Sequence, residues 1–468
     1  MTGEATYDVV IIGAGPAGEN VADRVVAGGL SAAIVERELV GGECSYWACM
    51  PTKALLRTGA ALRAARRAGV TGTLEAAAVL RRRDGFASQW KDDGQVAWLQ
   101  QAGIDLVRGH GRITAPRAVT VTDEDGTVTT LTARHAAVIA TGSTALLPDL
   151  PGLLESTPWT SREAAATDEI PHRLAIIGGG VVATEMATAF ASLGSAVTIL
   201  ARDGILPAAE PFAGELVTAA LRESGVSVLP GTHLDAVQRD DTGVVRITVA
   251  GSEPIVADQI LVAIGRTPNT TNLGLESLGL EPGTWLTVDD TLRVTDWLYA
   301  VGDVNHRALV THQGKYQARV VGDAIVARAT GATLDDQPWG RHAATADHAV
   351  VPQVVFTDPE VASAGLAAAA AAKAGYRIRV VDYDLGALAG AALHADGYTG
   401  RARMVVDEER RVVLGVTFVG PDVAELIHAA TIAIAAEVPI DRLWHAVPAF
   451  PTVSEVWLRL LETYGRPN

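Results

Sequence analysis

The sequence predicts an α/β chain of two nested Rossmann-like units, one inserted in the other, followed by a separate α+β domain. Three observations predict it. An apolar run feeds a glycine turn at Val9–Gly18, the same pattern returns at Leu174–Ala183, and from about residue 347 the chain changes to alternating polar and apolar segments.

The first unit reads Val9-Val-Ile-Ile-Gly13-Ala-Gly15-Pro16-Ala17-Gly18, then a helix to about Gly28, then the strand Ala32–Glu36. Gly13, Gly15 and Gly18 have the spacing that allows a tight turn, close backbone approach to a pyrophosphate, and close helix–strand packing. The free N–H groups of the helix start attract the anion, and Glu36 is placed to accept from a ribose hydroxyl. The second unit runs through Gly178, Gly180 and Ala183 into a helix to about Leu193, and its second strand ends at Ala201-Arg202. An acid at that end would repel a 2′-phosphate and an arginine would pair with it, so NADPH is favoured over NADH; the adjacent Asp203 opposes this. Later strands end in glycine at Val138–Gly142 and Leu261–Gly265, and Leu298–Asp303 returns to complete the first fold. These signals assign residues 1–150 and 270–345 to the first unit, 151–269 to the second and 346–468 to the C-terminal domain. Within that last domain, segments such as Arg377–Tyr383 and Arg411–Phe418 alternate as antiparallel strands, with helices expected over 422–437 and 453–462.

Composition narrows the function. The 468 residues carry 54 acidic and 38 basic side chains, a formal charge of −16, which disfavours a phosphate-backbone partner. No basic leader precedes the first strand and no apolar stretch is long enough to span a bilayer, so a cytoplasmic chain with no membrane partner is expected.

The chain has 2 cysteines, Cys44 and Cys49, in Gly41-Gly42-Glu43-Cys44-Ser-Tyr-Trp-Ala-Cys49-Met-Pro51-Thr-Lys53. Two cysteines placed at random would fall this close only about 2% of the time. Residues five apart in a regular helix are too distant for a disulfide, so an oxidised pair needs a distorted turn, to which Pro51 would contribute. A helix start would lower the thiol pKa.

With these motifs in hand, the chain resembles the flavoprotein disulfide reductases (class I pyridine nucleotide-disulfide oxidoreductases), which include glutathione reductase, dihydrolipoamide dehydrogenase and mercuric reductase. The resemblance covers essentially the whole length. It rests on the first glycine turn with Glu36, Gly41–Lys53, Ala140-Thr141-Gly142, the second glycine turn with Glu185, Tyr299–Asp303, Phe356–Glu360 and Pro451–Glu455. It implies FAD in the first fold, NAD(P)H in the second and a homodimer formed by the C-terminal domain. It further implies that Cys49 is the flavin-proximal thiol and Cys44 the interchange thiol, that Lys53 and Glu185 pair beside the flavin, and that Asp303 binds the ribityl chain. A helix opening near Thr311-His312 would point its amino end at the flavin. Around the first fold, cofactor contacts are expected at Gly13, Gly15, Pro16, Ala17, Gly18, Glu36, Arg37, Gly42, Glu43, Lys53, Thr141, Gly142, Arg266, Gly302, Asp303 and His312. Around the second they are expected at Gly178, Gly180, Val181, Val182, Glu185, Arg202 and Gly265.

One departure limits the mechanism. Where most members carry a catalytic histidine, this chain has Phe450, although the usual partner Glu455 remains. Phenylalanine neither donates nor accepts a proton. His445, five residues upstream, is a candidate substitute. A phenylalanine at this place is also found in 2-ketopropyl-coenzyme M oxidoreductase/carboxylase, which lacks the glutamate as well. No cysteine follows Cys49, which disfavours mercury handling of the mercuric reductase kind. The expected activity is NADPH-driven reduction of the Cys44–Cys49 disulfide and, through it, of a small thiol, disulfide or thioether compound. The alternatives are a flavin reductase of quinones that bypasses the cysteines, a carboxylase, and a flavin-holding subunit of a larger assembly.

Overall fold

The computed structural model describes residues 3–466. Six helices carry the groups discussed below: α1 (Pro16–Ala27), α2 (Gly42–Tyr46), α3 (Cys49–Arg67), α4 (Val181–Ser192), α5 (Thr311–Thr330) and α6 (Val456–Tyr464). The chain forms two compact units. One comprises the residues up to Met50 with Asp84–Ala145 and Arg266–His348; the other comprises Pro51–Arg83, Leu146–Gly265 and the residues from Ala349 on.

The first unit is built on a sheet whose parallel strands lie in the order Asp105–Arg108, Ala32–Glu36, Gly3–Ile12, Val128–Ile139, with Leu298–Ala300 also parallel to Val128–Ile139. Ala118–Thr122 and His110–Ala115 extend it as an antiparallel edge. Val9, Val10 and Ile11 are fully buried, as the continuous apolar run requires of a strand covered on both faces. The first strand starts at Gly3, well before the apolar run, because its polar half pairs with Thr129–Ala133. Ladder hydrogen bonds hold that half, so hydrophobicity does not report it. On α1, Gly18, Val21, Ala22 and Val25 form one buried face, which shares a core with Val321 and Ile325 of α5.

The second unit has a four-stranded parallel sheet, ordered Ser227–Pro230, Ala196–Ala201, Arg173–Ile177, Gln259–Val262. It also holds a five-stranded antiparallel sheet, ordered Gln353–Val355, Glu360–Gly365, Val412–Gly420, Arg401–Asp407, Ile378–Asp384. Its central strand, Val412–Gly420, is buried at every position. Val355, Val361 and Val419 from that sheet lie in one hydrophobic core with Phe190 and Phe212. The two helices expected near the C-terminus each open with a 3₁₀ turn, Val423–Leu426 and Val453–Glu455, before α-helix begins at Ile427 and Val456. Among the described residues no helix is long and apolar enough to cross a membrane.

Candidate active site

In the first unit the glycine turn is a cradle. Gly13 has φ +104, and a Cβ there would lie 2.5 Å from the Ala140 carbonyl oxygen. At Gly18 a Cβ would lie 1.9 Å from the Gly13 carbonyl oxygen, so helix and turn could not close. At Gly15 a Cβ would meet nothing within 4 Å, and no side chain caps the first N–H groups of α1, which Pro16 opens. Open space over unsatisfied donors fits a pyrophosphate. Glu36 accepts from the Ala14 and Glu38 backbone N–H groups, each at 2.8 Å, which fixes the carboxylate and leaves it lone pairs for a ribose. Ala17 is half-buried and Arg37 exposed. Gly42 has φ +57 and faces Gly15, where a Cβ would come within 2.9 Å of the Cα.

The same unit holds a polar cluster near this cradle. Ser143 donates to Asp303 at 2.5 Å, and Arg266 donates to the Ser143 hydroxyl and carbonyl, both at 2.6 Å. The Arg266 guanidinium also lies 3.7 Å from Asp303 and 3.8 Å from Glu43. Thr141 donates to the Asn269 carbonyl at 2.8 Å, and Gly142 and Gly302 both need positive φ, +68 and +75. Glycine turn, anchored acid and ordered Asp303 together fit the pyrophosphate, ribose and ribityl groups of FAD. Ser143 was missed by sequence reasoning; a lone serine after a glycine carries no signal.

The cysteine pair is brought together by a break in the helix. Cys44 lies in α2, Cys49 opens α3, and Trp47 leaves the helical region with φ −130 and ψ 0 between them. The break precedes Pro51, which sits in the first turn of α3, where its missing N–H breaks no bond; Pro51 is therefore not what distorts the turn. The two sulfurs are not joined in a disulfide, and both residues are half-buried. The Thr311 hydroxyl lies 3.3 Å from the Cys49 sulfur and donates to the Cys44 sulfur at 3.2 Å. His312, the other residue expected at this helix start, is exposed. The Cys44 thiol is pushed up, not down, by its hydrogen bond with Cys49 and by burial; Thr311 and Lys315 oppose the shift. Two adjacent thiols cannot both ionise easily. Tyr46 is buried and donates to the Val40 carbonyl at 3.0 Å and to Gln95, so it is packing rather than chemistry.

In the second unit Gly178 has φ +122, Gly180 is open, and no side chain caps α4. Val181 is exposed, Val182 half-buried and Gly265 exposed with φ +154. This second cradle fits the pyrophosphate of a nicotinamide dinucleotide. One turn into α4, Glu185 is buried, accepting from Lys53 at 2.7 Å and from the Phe356 N–H at 3.0 Å. The Lys53 ammonium lies 5.2 Å from the centre of the Phe356 ring. Arg202 is exposed and held by Asp203 at 2.9 Å. Toward the C-terminus, Phe450 is 74% exposed and His445 is exposed too. Glu455 is buried and accepts from Arg459 at 2.6 Å. The i,i+4 spacing of that pair is legible in the sequence. Among the described residues no group of three or more ligating side chains could hold a metal ion.

Two glycine cradles, a contiguous thiol pair and an acid anchored beside the first cradle define a dinucleotide-dependent thiol oxidoreductase. The family model for pyridine nucleotide-disulphide oxidoreductases matches residues 7–331, and the model for the dimerisation domain of the same family matches residues 351–460. The chain belongs to this family and is a flavoprotein oxidoreductase. It is 34% identical over 467 residues to dihydrolipoyl dehydrogenase of Thermus scotoductus, covering 96% of this chain and 95% of the relative. It is 29% identical over 464 residues to mercuric reductase of Staphylococcus aureus, covering 97% of this chain and 81% of the relative. The HOCl-induced flavoprotein disulfide reductase RclA from Escherichia coli, solved as a Cu(II) complex, superposes with a TM-score of 0.83 at 25% identity, covering 98% of this chain and 99% of RclA.

Proposed function

We propose that this chain takes electrons from NADPH, passes them by way of FAD to Cys44 and Cys49, and delivers them to a sulfur compound that needs no acid at position 450. The observation that carries this reading is the thiol pair itself, with both sulfurs on one threonine hydroxyl. When bound, FAD would couple the two-electron chemistry of the nicotinamide to that of the dithiol. The chain's own groups do the rest. Thr311 holds the two sulfurs in register, and the proximity of Cys49 together with burial keeps Cys44 protonated. On our reading Cys44 is the thiol that meets substrate, Cys49 the one nearer the flavin, and Lys53–Glu185 a charged pair that serves the same electron transfer. The exposed Phe450 and Val447, within the stretch matched by the dimerisation model, support a homodimer.

A second reading has one observation in its favour. A thiophilic metal ion accepts electrons with no leaving group to protonate, which suits a site with Phe450, and RclA was solved with Cu(II). Two Cu(II) ions would each gain one electron while the dithiol loses two electrons and two protons and closes to a disulfide. Anaerobic NADPH consumption with a panel of small disulfides, and with Cu(II) in the presence of a Cu(I) chelator, separates the two. Turnover of a disulfide alone supports the first reading, and Cu(I) formation that depends on Cys44 supports the second. NADPH oxidation that survives loss of both cysteines sinks both.

Two substitutions probe the details. Phe450→His should raise small-disulfide turnover by about 10²-fold, the lower end of what a positioned acid–base group contributes. No change in steady-state kcat would mean that position 450 is not at the thiol site. Arg202→Ala should raise KM for NADPH by about tenfold, the worth of one charge-assisted hydrogen bond, and leave KM for NADH alone. Equal effects on both nucleotides would remove the argument for NADPH.

A further inference from the structure

Asp347 lies outside every motif above, yet its side chain is fully buried in the first unit. Its two carboxylate oxygens accept from two glutamines of α5: Gln313 at 2.6 Å and Gln317 at 3.0 Å. Gln317 in turn accepts, through its carbonyl oxygen, from the Gly302 N–H at 2.8 Å and from the Asn305 amide at 2.9 Å. Arg307 brings a guanidinium nitrogen to 3.6 Å from Asp347, which compensates the buried charge.

The direction of these bonds is forced. A backbone N–H can only donate, so Gln317 must turn its oxygen to Gly302 and its NH₂ to residue 347. Gln313 presents a second NH₂ to the same residue. Position 347 therefore has to accept through both of its terminal atoms, which a carboxylate does and an amide, with one oxygen and one NH₂, does not. One end of the network is the first residue of the turn that carries Asp303. The other is Gln313, two residues beyond Thr311, whose hydroxyl meets both thiols.

We infer that Asp347 is a positioning residue that fixes, through Gln317 and Gln313, both the Gly302–Asn305 turn that presents Asp303 and the start of α5 that presents Thr311 to Cys44 and Cys49. It acts on cofactor retention and on the thiol pair at once, although it touches neither. This inference rests on the role proposed above for the cysteines and for the first cradle.

The test uses the purified full-length protein with its flavin. Asp347→Asn keeps the size and removes one acceptor, so one glutamine NH₂ must face another NH₂. Asp347→Asn with Gln317→Glu returns the carboxylate one step inward, where it accepts from Gly302, from Asn305 and from the new amide at position 347. The oxygen of that new amide then accepts from Gln313. We expect Asp347→Asn to weaken FAD retention at least tenfold, read as flavin per chain after desalting against a dilution series. We also expect it to shift the dithiol–disulfide equilibrium of Cys44–Cys49 against dithiothreitol at least threefold, read by differential alkylation. The double variant should recover both. Wild-type values for Asp347→Asn overturn the inference. So does a double variant that melts like the wild type yet recovers neither readout. If Asp347→Asn alone does not fold, the double variant decides: recovery supports the inference and failure overturns it. A wild-type protein whose cysteines do not respond to NADPH would sink the proposed function while leaving the FAD readout able to judge Asp347.

Discussion

Replacing Cys49 by serine should lower NADPH-driven reduction of any acceptor served by the thiols by roughly 10³-fold or more, since the residue supplies a covalent partner that oxygen cannot replace. Flavin binding should persist, because the cradle at Gly13–Gly18 and the Asp303–Ser143 contact do not involve the sulfur. Cys44→Ser should be as severe for turnover. The two variants differ in alkylation. With Cys49 gone, Cys44 loses the neighbour that most strongly pushes its thiol up, and its rate of reaction with iodoacetamide at fixed pH should rise. Retained turnover in either variant would mean that electrons leave without passing through the pair, and the quinone-reductase reading would replace the present one.

Lys53→Ala should destabilise the second unit markedly. Glu185 has 3% side-chain exposure and would lose the Lys53 cation while keeping the Phe356 backbone donor. Breaking a buried pair costs about 3–5 kcal/mol; because the Lys53 side chain is 36% exposed, the expected loss is nearer about 2–3 kcal/mol. Glu185→Gln should cost less, about 1 kcal/mol, because the amide oxygen still accepts from Phe356 and Lys53 can turn to solvent. Urea denaturation followed by tryptophan fluorescence measures both. Equal stability of Lys53→Ala and wild type would mean that the pair is not buried in solution. If the pair serves electron transfer as well, Glu185→Gln should slow anaerobic reduction of the flavin by NADPH by more than its small stability cost explains.

Much of the site is legible in the sequence because it is local. A glycine turn, its helix and its terminal acid lie within a short stretch of chain, and the physical demand of each position is local too: positive φ at Gly13, no Cβ at Gly18, open space at Gly15. The adjacency of Cys44 and Cys49 is likewise written in their spacing, and Phe450 announces a missing proton donor without any structure. What spacing could not give is the environment of these groups. It predicted that a helix start would depress the thiols, whereas contact between them pushes Cys44 up. It gave Pro51 a share in the distorted turn, whereas the break falls at Trp47, where no residue type signals it.

The sequence by itself therefore determined the family, the two glycine turns, the cysteine pair and the phenylalanine at position 450, because each depends on residues a few positions apart. Only the tertiary structure decided which distant groups meet: Thr311 on the sulfurs, Ser143 on Asp303, the Phe356 backbone on Glu185 and Asp347 behind α5. Their reason is hydrogen-bond satisfaction of buried polar groups, which any serine, arginine or carboxylate of suitable reach can meet and which leaves no periodic mark on the chain.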